Sequence, residues 1–136
     1  MNIEIDHIGI AVKTLDDRTP FWTALGLLRG EDESLPDDGV IARFLSTSGE
    51  TSEPVRIELL EATGPDTPIG KFIDRRGEGV QQIAFRVDDV QLLIDRLVSN
   101  GVRMIDEVAR NGAHGSKIAF VHPSSTGGVL VELVRR

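Results

Sequence analysis

Two glutamates interrupt segments of the chain that are otherwise apolar. Glu58 lies in Val55-Arg56-Ile57-Glu58-Leu59-Leu60, and Glu132 lies in Val129-Leu130-Val131-Glu132-Leu133-Val134. Both segments are rich in leucine and β-branched residues, a composition typical of strands that are buried on both faces. An unpaired ionised carboxylate in such a strand would cost several kcal/mol or take up a proton. A bound cation would remove that cost, so the two glutamates predict a site that uses their charge.

A repeat relates the two halves of the chain. The two glutamates are 74 positions apart, and residues 5–14 align with residues 80–89 so that His7 falls on Gln82, 75 positions later. Each half therefore supplies one polar residue from its first strand and one glutamate from its last strand. If the halves pack as equivalent copies, these four side chains can converge on one cavity.

The four side chains would form an oxygen-rich donor set of one imidazole, one amide and two carboxylates. Such a set favours a divalent ion, namely Co²⁺, Mn²⁺, Ni²⁺ or Mg²⁺, over a metal that prefers sulfur. The structural alternative is that His7 is a satisfied core histidine. An arginine could likewise pair with either glutamate, the candidates being Arg43, Arg56 and Arg86.

The pattern of the first half predicts a strand, a helix and two further strands. The strands are expected over residues 3–12, 40–45 and 55–60, with an exposed hairpin loop over residues 46–54. The helix is expected from Thr14 to about Leu25, with Gly26 as its stop. Pro20 leaves two interpretations open, because proline is tolerated only in a first turn: Thr19 caps a helix that begins there, or the helix is kinked.

The second half repeats this order after a linker. A short helix is expected from Pro68 to about Arg75, capped by Asp66 or Thr67, and a longer helix follows a cap at Asp88 or Asp89. Strands are expected near residues 80–87, 102–105, 117–121 and 129–134. The predicted fold class is α+β, with two paired βαβββ modules in one domain over residues 1–136. Module one covers about 1–63, the linker helix about 64–76 and module two about 77–136.

The amino-acid composition of the chain limits the kinds of molecule that it is expected to bind. The net charge of −7 and the absence of a basic cluster with interleaved aromatics argue against nucleic-acid binding. No apolar run is long enough to span a membrane, and no signal-peptide pattern is present. The lack of cysteine excludes disulfides and thiolate chemistry and is compatible with a cytoplasmic protein. A small-molecule partner is therefore expected.

Several motifs together resemble one known family. They are Ile5-Asp6-His7-Ile8-Gly9-Ile10-Ala11-Val12, the linker Gly64-Pro65-Asp66-Thr67-Pro68, Gly112-Ala113-His114-Gly115, and His122-Pro123 followed by the segment 126–133. On these residues the chain resembles the vicinal oxygen chelate (glyoxalase-like) superfamily and, in detail, its methylmalonyl-CoA epimerases. The resemblance spans nearly the whole chain.

The resemblance implies an isomerase that moves a proton at C2 of methylmalonyl-CoA or a similar 2-substituted malonyl thioester. It implies metal ligands at His7, Glu58, Gln82 and Glu132. Co²⁺ is the ion expected in vitro, with Mn²⁺, Ni²⁺, Mg²⁺ or Zn²⁺ as alternatives. It also implies an acyl-CoA partner and a homodimer.

Two positions depart from the family pattern. Gln81-Gln82 stands where relatives usually have two histidines, so one imidazole ligand becomes an amide. Ala42 stands where some members place a glutamate that has been proposed as a catalytic base. The second base is therefore unassigned. Glu132, a ligand that can loosen or use its free oxygen, is our expected base for one proton transfer.

The second acid/base has several candidates. They are Glu61, a metal-bound water, and His114 if its loop folds over the site. His114 and Lys117 are also the expected substrate contacts. Lys71 and Arg43 are further candidates for contacts with the CoA phosphates.

Three other functions remain as alternatives. Glyoxalase I (lactoylglutathione lyase) resembles this arrangement, but Pro20-Phe21-Trp22 and His122-Pro123-Ser124-Ser125 differ from its usual motifs. A ring-cleaving dioxygenase would need two histidines and one carboxylate for iron, and Gln82 removes one histidine. A metal-free binding protein of the bleomycin-resistance type would gain by losing both central glutamates, which this chain retains.

Overall fold

The computed structural model describes residues 2–48 and 55–136. These residues form eight strands and three α-helices, and each half has the order βαβββ. The strands are β1 Glu4–Val12, β2 Leu28–Leu35, β3 Val40–Ser46, β4 Arg56–Ala62, β5 Gly79–Arg86, β6 Arg110–Asn111, β7 Lys117–Val121 and β8 Leu130–Arg135. The helices are α1 Leu15–Leu25, α2 Pro68–Arg76 and α3 Val90–Ser99. The predicted α+β class with paired βαβββ modules is confirmed.

The chain divides into two compact units. One unit holds residues 7–81, and the other holds the residues up to Asp6 and those from Gln82 onward. In the first unit the strand order is β2-β3-β4-β1, and β1 runs parallel to β4 whereas the other two pairs are antiparallel. In the second unit the order is β5-β8-β7-β6, with β5 parallel to β8.

Two helices cover opposite faces of the sheet in the first unit. Leu15 of α1 packs on the face that carries Val12, Leu45 and Leu59. Ile69 of α2 packs on the other face, in a cluster that includes Ala11, Val40, Ala42, Phe44 and Leu60. Each fully buried leucine or isoleucine contributes about 2 kcal/mol. The alternation of these residues along β3 and β4 therefore fixes which side chains point away from α1.

Helix α1 begins at Leu15, before the start that a cap at Thr19 would require. The Thr14 hydroxyl accepts a hydrogen bond from the Asp17 N–H, and Gly26 ends the helix in the left-handed region with φ of 120°. Pro20 therefore lies inside the helix, and the prediction that Thr19 caps its start is wrong. The Thr19 hydroxyl instead donates to the Leu15 carbonyl at 2.6 Å.

Strand β2 was not predicted, because half of its eight residues are charged. Leu28–Leu35 includes Arg29, Glu31, Asp32 and Glu33, and it lies at the outer end of the first unit's strand order. An edge strand tolerates such charges because one side of its backbone needs no neighbour. Its pairing with β3 shifts register between Arg29 and Asp32, as a β-bulge does.

The second unit buries α3 and an ion cluster. Val90, Leu93 and Ile94 pack against Ala119, Val121 and Leu133. Asp6 is fully buried, and its carboxylate accepts hydrogen bonds from Arg86 and Arg136. The strand expected over residues 102–105 is wrong: in this fully described segment Met104 forms one isolated bridge with Val121.

The linker helix α2 follows the prediction closely. Thr67 caps it by accepting the Gly70 N–H at 3.1 Å, and Pro68 occupies the first turn. The predicted hairpin loop over 46–54 lies largely outside the described residues. Among the residues that are described, no helix is long and apolar enough to cross a membrane.

Candidate functional site

His7 and Glu58 form a buried pair in the first unit. The parallel register of β1 and β4 places His7 beside Arg56 and Gly9 beside Glu58, so the side chains share one face. The His7 Nε2 lies 2.9 Å from the Glu58 Oε2. Both residues are buried, with 3% and 6% of their surface exposed. The sheet face that carries this pair, opposite α1, is called the ligand face below.

Gln82 and Glu132 form the corresponding pair in the second unit. The Gln82 Nε2 donates to the Glu132 Oε1 at 3.0 Å, and both residues are buried. Strands β5 and β8 are parallel, and their register pairs Gln82 with Leu130 and Ala84 with Glu132. The same offset relates His7 to Glu58 in the first unit. The structure thus brings the four predicted ligands together in two equivalent pairs, each within its own unit.

The atoms of each pair have the separation of neighbouring metal ligands. Two oxygen or nitrogen ligands at about 2.0–2.1 Å from one ion, at right angles, lie about 2.9 Å apart. The observed separations within the two pairs are 2.9 Å and 3.0 Å. A flip of the Gln82 amide would present its oxygen in place of its nitrogen. Each pair therefore fits as two adjacent ligands of a hard divalent ion.

Histidine and carboxylate groups alone do not complete a metal site. In residues 2–48 and 55–136, no group of three or more His, Cys, Asp or Glu side chains is arranged to hold a metal ion. One of the four predicted ligands is an amide, the glutamine at position 82. The assignment of the four residues as ligands stays a prediction.

Arg56 is a buried cation on the ligand face that the sequence analysis considered only as a partner for glutamate. Its guanidinium carbon lies 4.4 Å from the centroid of the Phe44 ring, and 4% of the residue is exposed. Phe44 in turn meets the His7 ring edge-on, with centroids 6.4 Å apart. The only sequence signal for this cation was an arginine two positions before Glu58 in an apolar strand.

Arg43 and Arg86, the two other arginines that were considered as partners for the glutamates, bind aspartates. The Arg43 Nε and Nη2 donate to the two Asp32 oxygens at 2.7 Å and 2.8 Å, and Nη1 donates to Asp16. The Asp32 hydrogen bond is the main cause that raises the Arg43 pKa, and the same bond lowers the Asp32 pKa. Arg86 pairs with Asp6 at 2.8 Å.

Glu61 and Arg43 both form hydrogen bonds with residues of α1. The Glu61 Oε1 accepts the Leu15 N–H at 2.8 Å, at the start of α1. Arg43 is 5% exposed and lies under α1, so its prediction as a surface contact for CoA phosphate is wrong. Asp32 could not be identified as a partner of Arg43 from sequence, because β2 was not predicted.

His114 lies between β6 and β7, and Lys117 is the first residue of β7. His114 is exposed and adopts a left-handed backbone with φ of 55°, which is uncommon for a residue other than glycine. The exposed Lys117 donates to the Asn111 Oδ1 at 2.6 Å. Their assignment as substrate contacts stays a prediction.

The comparisons with known proteins agree with this fold. Residues 6–120 match the family described as the Glyoxalase/Bleomycin resistance protein/Dioxygenase superfamily, which includes metal-dependent enzymes. The mitochondrial methylmalonyl-CoA epimerase of Bos taurus is 35% identical over 131 residues, which cover 95% of this chain and 72% of the bovine protein.

Two solved structures are also similar. The methylmalonyl-CoA epimerase of Mycobacterium tuberculosis superposes with a TM-score of 0.89 at 39% identity, covering 96% of this chain and 86% of that one. A variant of the Streptomyces coelicolor methylmalonyl-CoA epimerase, in complex with 2-nitronate-propionyl-CoA, gives a TM-score of 0.88 at 36% identity, covering 97% and 93%. The chain therefore belongs to the Glyoxalase/Bleomycin resistance protein/Dioxygenase superfamily and, within it, to the methylmalonyl-CoA epimerase family.

Proposed function

We propose that this protein is a metal-dependent epimerase that interconverts (2R)- and (2S)-methylmalonyl-CoA, or a similar 2-substituted malonyl thioester. The observation that carries the proposal is the pair of buried donors in each unit, His7 with Glu58 and Gln82 with Glu132. The near full-length similarity to methylmalonyl-CoA epimerases supports the same activity. No observation favours the glyoxalase I alternative or a metal-free binding protein.

His7, Glu58, Gln82 and Glu132 are the proposed metal ligands. Co²⁺ is the ion to load in vitro, with Mn²⁺, Ni²⁺, Mg²⁺ or Zn²⁺ as alternatives. Bound there, a divalent ion supplies the positive charge that stabilises an enolate as it forms. Burial of all four side chains keeps water away and strengthens that electrostatic interaction.

Glu132 is the proposed base for one face of the substrate. Its carboxylate removes the proton at C2, and the electron pair of the C–H bond moves into the enolate. Return of a proton to the opposite face of C2 completes the epimerisation. The Gln82 Nε2 lies 3.0 Å from one Glu132 oxygen, so the two side chains are direct neighbours.

The remaining parts of the proposal concern the substrate and the assembly. His114 and Lys117 contact the acyl-CoA, and the exposed Lys71 is a further phosphate contact. We also propose that the protein is a cytoplasmic homodimer. Size-exclusion chromatography with light scattering tests the dimer, and cell fractionation tests the location.

A direct assay tests the activity. Purified protein is stripped of metal, reloaded with Co²⁺ and incubated with one pure epimer of methylmalonyl-CoA. Loss of stereochemical purity that requires Co²⁺ supports the proposal. Glu132→Gln should lower the rate by about 10²–10⁴-fold, whereas Glu107→Gln, at an exposed position, should not change it. Turnover of glutathione hemithioacetals without epimerisation would contradict the proposal and favour glyoxalase I.

A further inference from the structure

Arg110 places a cation on the same sheet face as Glu132 in the second unit. The register of β6 and β7 pairs Arg110 with Ile118, and β7 pairs Phe120 with Glu132 of β8. Residues directly opposite each other on antiparallel strands point to the same face, and so do residues two apart on one strand. Arg110, Phe120 and Glu132 therefore share one face, which is called the Glu132 face below.

Packing on both sides of this sheet supports the assignment. Ile118 and Phe120 pack with Ala84 and Val134 in one cluster. Ala119, which lies between them on β7, packs in the cluster of α3 instead. The Glu132 face is therefore the face away from α3, and all of these residues belong to the second unit.

The Arg110 guanidinium lies over the ring of Phe120, the residue directly opposite Glu132. Its central carbon is 5.6 Å from the centroid of that ring. Side chains opposite each other in an antiparallel pair have Cβ atoms about 4.5–5.5 Å apart. Arg110 and Glu132 are therefore both neighbours of Phe120 on the Glu132 face.

The segment before Arg110 holds the guanidinium in this position. The Asp106 Oδ1 accepts the Arg110 Nε–H at 3.2 Å, and the Asp106 Oδ2 accepts the Phe120 N–H at 2.9 Å. The Gln91 side chain of α3 binds two backbone groups of residues 107–109, at 3.2 Å and 2.9 Å. The guanidinium is therefore preorganised, although 38% of the Arg110 side chain is exposed to solvent.

This arrangement suits the recognition of a carboxylate close to Glu132. A second negative charge beside Glu132 would be repelled, and a nearby cation offsets that repulsion. A guanidinium has five N–H donors in a fixed fork, so it can bind a carboxylate bidentately and can bind more than one anion at once. Arg43 does so in the first unit with two aspartates. An exposed ion pair contributes little to stability, so ligand binding explains the contacts that orient Arg110 better than folding does.

We propose that Arg110 binds the carboxylate of the 2-substituted malonyl thioester. This inference rests on the proposed function, in which Glu132 acts at C2, because the substrate carboxylate is bonded to that carbon. The CoA phosphates are separated from C2 by the whole pantetheine arm, so a cation beside Glu132 is placed for the carboxylate. Arg110 orients the substrate and takes no part in proton transfer.

Two ligands that differ at C2 test this role. Methylmalonyl-CoA and propionyl-CoA share the thioester and the phosphates, but only the first has the carboxylate. Isothermal titration calorimetry with Co²⁺-loaded protein measures the Kd of each. Arg110→Gln should raise the Kd of methylmalonyl-CoA by about 10–100-fold, as expected for loss of a charge-assisted hydrogen bond, and leave that of propionyl-CoA within about twofold of wild type. Arg103→Gln, at an exposed position in the same unit, should change neither Kd.

The pair of Kd values separates carboxylate binding from the other roles. Equal increases for both ligands would assign Arg110 to the shared part of the substrate and overturn the proposal. Unchanged Kd values for both ligands would overturn it as well. A wild-type protein that binds methylmalonyl-CoA without epimerising it would refute the proposed function, whereas the effect of Arg110→Gln on binding would still be measured.

A second variant covers the case in which Arg110→Gln does not fold. Arg110→Lys keeps the positive charge but loses the planar fork that binds a carboxylate bidentately. It should raise the Kd of methylmalonyl-CoA by about 3–10-fold and leave the Kd of propionyl-CoA unchanged. Wild-type affinity of Arg110→Lys for methylmalonyl-CoA would contradict the proposal.

Discussion

Replacement of Arg43 by glutamine tests how the ligand face is held in place. The Arg43 guanidinium joins β3 to β2 through Asp32 and to α1 through Asp16 and the Thr19 hydroxyl, at distances of 2.7–3.0 Å. The Asp32 bond also fixes the register after the bulge, and this register places Glu33 on the opposite face. Arg43→Gln removes the charge and most of these hydrogen bonds.

The size of the effect follows from the burial of each partner. Removal of one member of a buried ion pair costs about 3–5 kcal/mol. Only 6% of the Arg43 side chain is exposed, but 33% of the Asp32 side chain is, so water compensates part of the loss. Asp16, with an 89% exposed side chain, adds about 0–1 kcal/mol. We therefore expect Arg43→Gln to lower the free energy of unfolding by about 2–4 kcal/mol.

Arg29 provides a matched control. It approaches the same Asp32 carboxylate at 3.9 Å, but 51% of its side chain is exposed. Arg29→Gln should therefore cost no more than about 0.5 kcal/mol in urea unfolding at pH 7. Equal losses for the two variants would refute the reasoning from burial.

The effect of Arg43→Gln should also depend on pH. The hydrogen bond from Arg43 lowers the Asp32 pKa in the folded protein. The stabilisation is therefore present above the unfolded pKa of about 4 and is lost as the pH falls through the lower folded pKa. The difference between wild type and Arg43→Gln should shrink over this acid range, and a constant difference would contradict the assignment.

Two further substitutions test the packing of each unit. A Cβ at Gly70 would lie 2.4 Å from the Gly64 carbonyl oxygen, so Gly70→Ala should cost about 1–3 kcal/mol. Gly64→Ala meets nothing within 4 Å and should change the thermal midpoint far less. Asp6→Asn removes the charge that holds two arginines in the second unit and should cost about 3 kcal/mol in urea unfolding.

Much of the fold was predictable because its signals are local. The caps at Thr14, Thr67 and Asp89 each receive the hydrogen bond expected of a helix start. The repeat of residues 5–14 at 80–89 likewise predicted the two βαβββ modules. Local side-chain chemistry and periodicity were sufficient for these elements.

The missed features depend on partners distant in the sequence. Strand β2 forms from a charged segment because Asp32 pairs with Arg43 and the backbone pairs with β3. Neither partner is visible in the hydrophobic pattern of residues 28–35. Without β2, the position of Glu33 opposite Ala42 could not be predicted. The same limit applies to Arg56, whose contact with Phe44 joins two strands.

Hydrogen exchange at C2 tests the central claim most directly. Wild-type protein and Glu58→Ala are stripped, reloaded with Co²⁺ and incubated with methylmalonyl-CoA in D₂O, while Co²⁺ binding is followed by its absorption spectrum. We predict exchange in the wild type only when Co²⁺ is present, and loss of both the Co²⁺ spectrum and the exchange in Glu58→Ala. Exchange that is equally fast in the stripped wild-type protein, or an unchanged Co²⁺ spectrum in Glu58→Ala, would contradict the assignment of a metal site built on Glu58.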